Sequence, residues 1–148
     1  MTSANLENLF PGLKSGAYSI TSPEEVRYNC VAWANGDTSL WWDHHPGPGI
    51  YWPQRLRRSA NVEVYIRIFT DQGYEITTIA GQEEGYEKVA IFSSAEGKFS
   101  HVAKMLSSGS WSSKLGALED IEHSTLEVLQ AKYGSVFCHL RRETGGAL

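Results

Sequence analysis

Residues 87–92, 99–106 and 110–116 read as three strands that follow one another across two short turns, Ala95-Glu96-Gly97-Lys98 and Ser107-Ser108-Gly109. Links of that length join only antiparallel neighbours, because a parallel crossover needs about a dozen residues or more. The stretch is therefore an antiparallel meander, and the unbroken run Val89-Ala90-Ile91-Phe92 belongs deep in its sheet. Residues 74–79 read as a further strand and residues 136–140 as a closing one. Helical signals flank the meander. Asn29 can cap a short helix over residues 30–34 that Asn35-Gly36 ends, and residues 61–70 carry a one-sided apolar pattern that Gly73 stops. Ser124-Thr125-Leu126-Glu127 has the form of a capping box, opening a helix with Leu126, Leu129 and Tyr133 that Gly134 terminates. Pro11-Gly12, Gly16 and Ser22-Pro23 mark residues 1–27 as an irregular arm. Without βαβ alternation, the pattern is α+β in one domain over residues 1–148, with N-terminal helices on an antiparallel meander, a C-terminal helix and a closing strand.

Charge and composition exclude several classes of function. Thirteen Lys and Arg against 17 Asp and Glu leave a formal charge of −4 without a long run of like charge, so no nucleic-acid or anionic-membrane surface is expected. No apolar run approaches the ~20 residues that span a bilayer. The start, Met1-Thr2-Ser3-Ala4-Asn5-Leu6-Glu7, lacks a basic, apolar leader. The expected location is cytoplasmic, with export left to a dedicated secretion machine. The two cysteines, Cys30 and Cys138, form neither a metal-type pair nor a disulfide framework.

Chemistry concentrates at two positions. Cys30 falls in the first turn of the short helix, where unpaired N–H groups favour a thiolate. A cysteine nucleophile needs a base, and His101 in Phe99-Ser100-His101-Val102-Ala103 is the candidate, strand alternation placing Phe99, His101 and Ala103 on one face. The plainer alternative for a cysteine in a short apolar helix is packing. His44 and His45 read as loop residues without a third metal ligand, Cys138 as core, and His123 as a staple at a helix entry. No metal and no cofactor are implied. Four of the five Trp lie between positions 33 and 52, and residues 41–53 alternate aromatics with Pro and Gly, as in a rigid loop.

The segments Tyr28-Asn29-Cys30-Val31-Ala32-Trp33-Ala34, Tyr51-Trp52-Pro53, Ser100-His101-Val102-Ala103 and Gly109-Ser110-Trp111-Ser112-Ser113-Lys114-Leu115-Gly116 resemble an uncharacterised, mainly bacterial domain family covering nearly the whole chain. Its layout is in turn similar to papain-like cysteine hydrolases. The resemblance implies Cys30 as nucleophile and His101 as base. For the group that orients the imidazole, no Asp, Asn or Gln lies in residues 114–116, which leaves Ser112, Ser113, Glu119 or Asp120, with Asp120 preferred. Asn29 is either an oxyanion donor or a plain helix cap. Trp33, Trp42, Tyr51 and Trp52, with Trp41, form either a cleft wall or a patch pinning a loop. The expected activity is hydrolysis or acyl transfer at an amide or ester of a protein or peptide. The alternatives are a non-catalytic protein-binding module using the Trp-rich loop and, behind it, carbohydrate binding there.

Overall fold

The meander is the centre of a seven-stranded sheet in the order β1-β8-β7-β6-β5-β9-β4, every neighbouring pair antiparallel. The strands are β1 (Tyr18–Ser22), β4 (Glu75–Thr77), β5 (Tyr86–Ser93), β6 (Phe99–Met105), β7 (Trp111–Lys114), β8 (Asp120–His123) and β9 (Ser135–Glu143). The computed structural model describes residues 3–14 and 16–144. Two short strands, β2 (Trp41–Trp42) and β3 (Ile50–Tyr51), pair in parallel outside the sheet and tie the Trp-rich loop into a closed unit. The helices are α1 (Ala4–Leu9), α2 (Cys30–Ala34), α3 (Val62–Thr70) and α4 (Gln130–Tyr133), with 3-10 turns at Pro11–Lys14 and Glu127–Leu129.

Both faces of the sheet are covered, which explains why β5 is apolar without alternation. On the first face Cys30 and Val31 of α2, and Tyr65, Ile68 and Phe69 of α3, pack on Val89, Ile91, Val102 and Leu140. On the second, Leu6, Phe10 and Leu13 join Val128 and Leu129 over Ala90, Phe92, Ala103, Leu115 and Ile121. The arm is thus more regular than its Pro and Gly content suggests. It carries α1, capped by Ser3, and the edge strand β1, because Leu6, Phe10 and Leu13 are needed to close the second core. The capping-box reading fails: Ser124 Oγ donates to the Ala17 carbonyl, and the helical turns after it have no side-chain cap. Tertiary pairing with the arm has displaced the local cap.

Two irregularities shape the functional end of the sheet. In the β5–β6 ladder, His101 opposes Phe92 while Phe99 opposes Ser93, so Ser100 is an extra, bulged residue. Phe99 consequently turns to the first face, stacked on Tyr65 at 4.0 Å, whereas His101 turns to the second, stacked on Tyr133 at 4.3 Å. The simple alternation expected for Phe99 and His101 is broken by that one residue. Next to it Gly134, at φ +90, lies so near β5 that a Cβ would sit 2.4 Å from the Ser93 carbonyl oxygen. The second irregularity lies between β6 and β7. Among the described residues these strands pair at two rungs, Lys104 with Ser112 and Met105 with Trp111, and then part towards His101. Helix α2 packs against both strands at this split.

Candidate active site

A cavity of about 250 Å³ opens where β6 and β7 have parted. Asn29 and Cys30 line it from α2, and Trp41, Trp42, Asp43, His44 and His45 from the loop that β2 begins. Tyr65, Phe99, Ser100, His101, Gly116 and Tyr133 complete it. The split thus brings a helix on the first face and a histidine of the second into one space, which an intact ladder would separate.

Cys30 is the first residue of α2. Asn29 caps that helix, its Oδ1 accepting from the Ala32 amide at 3.1 Å and from the Trp42 amide at 3.2 Å, while its Nδ2 donates to the Trp42 carbonyl at 2.7 Å. The side chain is therefore a bracket between α2 and β2, and the Nδ2 donor read from sequence as an oxyanion ligand is engaged with Trp42. Asn29→Ala is expected to lower stability by ~1 kcal/mol or somewhat more, read as a shift of the denaturation midpoint. An unchanged midpoint would show that the bracket contributes nothing.

The thiol itself departs from the expected low pKa. Burial dominates and pushes Cys30 up to about 11, against opposing contributions from the Val102, Val31 and Cys30 backbone N–H groups and from Lys114. A five-residue helix is too short for its dipole to overcome desolvation. Cys30 therefore rests as a thiol. The N–H groups around the sulfur are still suited to an anion developing beside it.

His101 is fully buried, and burial followed by the charge of His123 holds its pKa down to about 3. It is a neutral imidazole, and its tautomer follows from its neighbours. His123 Nδ1 lies 2.8 Å from the Thr125 carbonyl oxygen, which can only accept, so the hydrogen of neutral His123 is on Nδ1 and its Nε2 is an acceptor. Ser113 Oγ, 2.8 Å from that Nε2, must then donate to it. The same hydroxyl accepts from His101 Nε2 at 2.9 Å. His101 thus carries its hydrogen on Nε2 and presents a bare lone pair on Nδ1, a buried atom without a hydrogen-bond partner among the described residues. Strand register explains the contact: His101, Ser113 and His123 are diagonal neighbours on one face of three adjacent strands.

The preferred orienting residue, Asp120, lies elsewhere. It opposes Lys114 on the first face, where its Oδ2 accepts from Ser22 Oγ at 2.5 Å and from the Tyr28 hydroxyl at 2.9 Å. Strand alternation puts it on the wrong side of the sheet to reach His101. Ser113, one of the alternatives legible in sequence, takes that position. His123 was read as a helix staple because β8 was not recognised. Asp120-Ile121-Glu122-His123 holds one apolar residue among three charged or polar ones, which gives little strand signal.

The proposed aromatic wall divides. Trp42 lines the cavity, its Nε1 donating to Asp37. Trp33 is turned away, bonded to Ser112 Oγ at 2.9 Å. Trp52 is core, its Nε1 on the Leu56 carbonyl and its ring against Tyr65. Tyr51 lies 39% exposed on the outside of Trp42, with ring centres 4.6 Å apart. Cys138 is half-buried against the first core, as its sequence context suggested. No helix among the described residues is long and apolar enough to cross a membrane.

Neither curated proteins nor solved structures provide a match to the chain. A family model described as a domain of unknown function, DUF7689, matches residues 19–141, a span that holds Cys30, His101, Ser113 and His123. The chain belongs to the DUF7689 family.

Proposed function

We propose that the protein is a cysteine hydrolase or acyl transferase of papain-like layout, with Cys30 as nucleophile and His101 as general base. The observation that carries this reading is the unpartnered Nδ1 of a neutral, buried His101 lining the same cavity as the Cys30 thiol. An imidazole held only for packing has no need of a three-group relay that fixes which nitrogen is bare.

In this reading Cys30 Sγ forms a bond to the carbonyl carbon of an amide or ester as its proton passes to His101 Nδ1. The N–H groups of Cys30 and Val31 stabilise the negative charge. Collapse of the tetrahedral species expels an amine or alcohol, which takes the proton from His101, and leaves a thioester on Cys30. Water or an amine then attacks the thioester, again losing its proton through His101, and restores the thiol. The pair begins as neutral thiol and neutral imidazole, so the base acts during attack instead of storing a thiolate beforehand. A peptide or protein substrate fits a shallow aromatic-lined cavity.

p-Nitrophenyl acetate supplies a minimal acyl donor. In the folded protein, peptide mass spectrometry is expected to find the acetyl group on Cys30, with nitrophenolate released in equal amount and Cys138 unmodified. Acetylation of Cys30 only after unfolding would sink the proposal. The second reading, a protein-binding module, draws support from the exposed Tyr51 backed by Trp42, since an aromatic on a rigid support makes an interface anchor.

A further inference from the structure

The rim of the same cavity gathers a second set of groups that Cys30 chemistry does not use. Asp43 Oδ1 lies 3.1 Å from His44 Nδ1 and 3.4 Å from His45 Nδ1, and one ligand atom from each of the three residues lies within 4.8 Å of the other two. The Tyr65 hydroxyl lies 2.7 Å from His44 Nδ1 and brings a second oxygen beside them. In sequence the two histidines have no evident third ligand; the fold supplies it from the preceding residue by turning Asp43 back over both rings.

We propose that Asp43, His44 and His45 form a binding site for a divalent transition-metal ion of the zinc type. A cation bonded to nitrogen and oxygen at ~2.0–2.1 Å separates adjacent ligand atoms by about 2.8–3.0 Å in an octahedron and about 3.3–3.4 Å in a tetrahedron. The Asp43–His44 and Asp43–His45 edges, 3.1 and 3.4 Å, fall in the same range. Two imidazoles and one carboxylate are also the donor chemistry of zinc, nickel and copper ions, whereas calcium and magnesium prefer all-oxygen sets. Hydrogen bonding alone explains the convergence less well. Asp43 Oδ1 already accepts the His45 amide at 3.1 Å, so bonding both rings as well would place three N–H donors on one carboxylate oxygen.

The site is also held in place. The Asp43 amide donates to the Tyr51 carbonyl at 3.1 Å, and Arg58 Nη1 donates to the His44 carbonyl at 3.1 Å. His44 is wedged edge-on between Trp52 and Tyr65. His45 alone is largely exposed, which leaves a path for the ion to enter.

The test uses the full chain after treatment with EDTA, titrated with zinc chloride by calorimetry and with cobalt(II) by visible absorption. One equivalent of zinc and a cobalt spectrum that saturates at one equivalent are expected. Asp43→Ala and His45→Ala, which remove partly or largely exposed side chains, should weaken binding at least tenfold. Cys30→Ala and His101→Ala should retain it, so this site can fail or succeed independently of the proposed nucleophile. Absence of stoichiometric binding, or binding lost in Cys30→Ala but kept in Asp43→Ala, would overturn the proposal.

Discussion

His101→Ala is expected to slow acetylation of Cys30 by p-nitrophenyl acetate by about 10²- to 10⁴-fold, the usual contribution of a positioned general base. The size follows from the state of the thiol. Burial holds Cys30 up to about 11, so at neutral pH almost no thiolate exists, and attack depends on a base taking the proton. With His101 itself held down to about 3, that base stays neutral through the whole range from pH 5 to 8. The acetylation rate should therefore show no step near 6.5, where an exposed histidine would gain a proton and lose its lone pair as the pH falls. Ser113→Ala is the companion measurement for a positioning role. Nitrogen-15 NMR of the His101 ring should find the hydrogen on Nε2 in the native protein, and a mixture of tautomers once Ser113 no longer accepts from it. A hydrogen on Nδ1 in the native protein, or an unchanged rate in His101→Ala, removes His101 from the mechanism.

Phe92→Ala is expected to cost about 3–5 kcal/mol of unfolding free energy, measured by urea denaturation. Phe92 is fully buried on the second face and meets both His101, with ring centres 5.5 Å apart, and Tyr133, at 6.4 Å. A loss of that size is a large part of the ~5–15 kcal/mol that holds a typical domain together, so the alanine variant is expected to unfold at a much lower temperature. Phe92→Leu keeps most of the volume and should cost less than about 1.5 kcal/mol. Its loss of fit beside His101 should nevertheless slow acetylation of Cys30. Equal stability of Phe92→Ala and the native protein would show that the surrounding core collapses onto the gap.

The sequence makes the meander, α2 and α3 legible because each has a strong local cause: short glycine turns, an Asn cap, a one-sided apolar pattern. It conceals what depends on register. The bulge at Ser100 shifts His101 to the face opposite Phe99, and nothing in Phe99-Ser100-His101 announces an extra residue. Cys30 and His101 were recognisable by residue type and by resemblance. The Ser113–His123–Thr125 relay was not, because it needs β8 to pair with β7 so that diagonal neighbours meet. Asp120 is favoured in sequence by its place just past a strand end, yet parity along the strand determines which residue His101 reaches. The three consecutive residues 43–45 gave no sign of convergence because adjacent side chains in extended chain point apart, and only the turn after β2 gathers them.

The place of β9 in the sheet bears on how the chain can be made. It lies between β5 and β4, although in sequence it follows every other strand. Until residues 135–143 have left the ribosome, β5 presents Val89, Ala90, Ile91 and Phe92 along an open edge, the kind of surface on which nascent chains aggregate. Pairing between such distant segments is slow. Chaperone demand during synthesis is thus built into the topology, and a deletion reaching into residues 135–143 would leave the most apolar strand of the molecule without its cover.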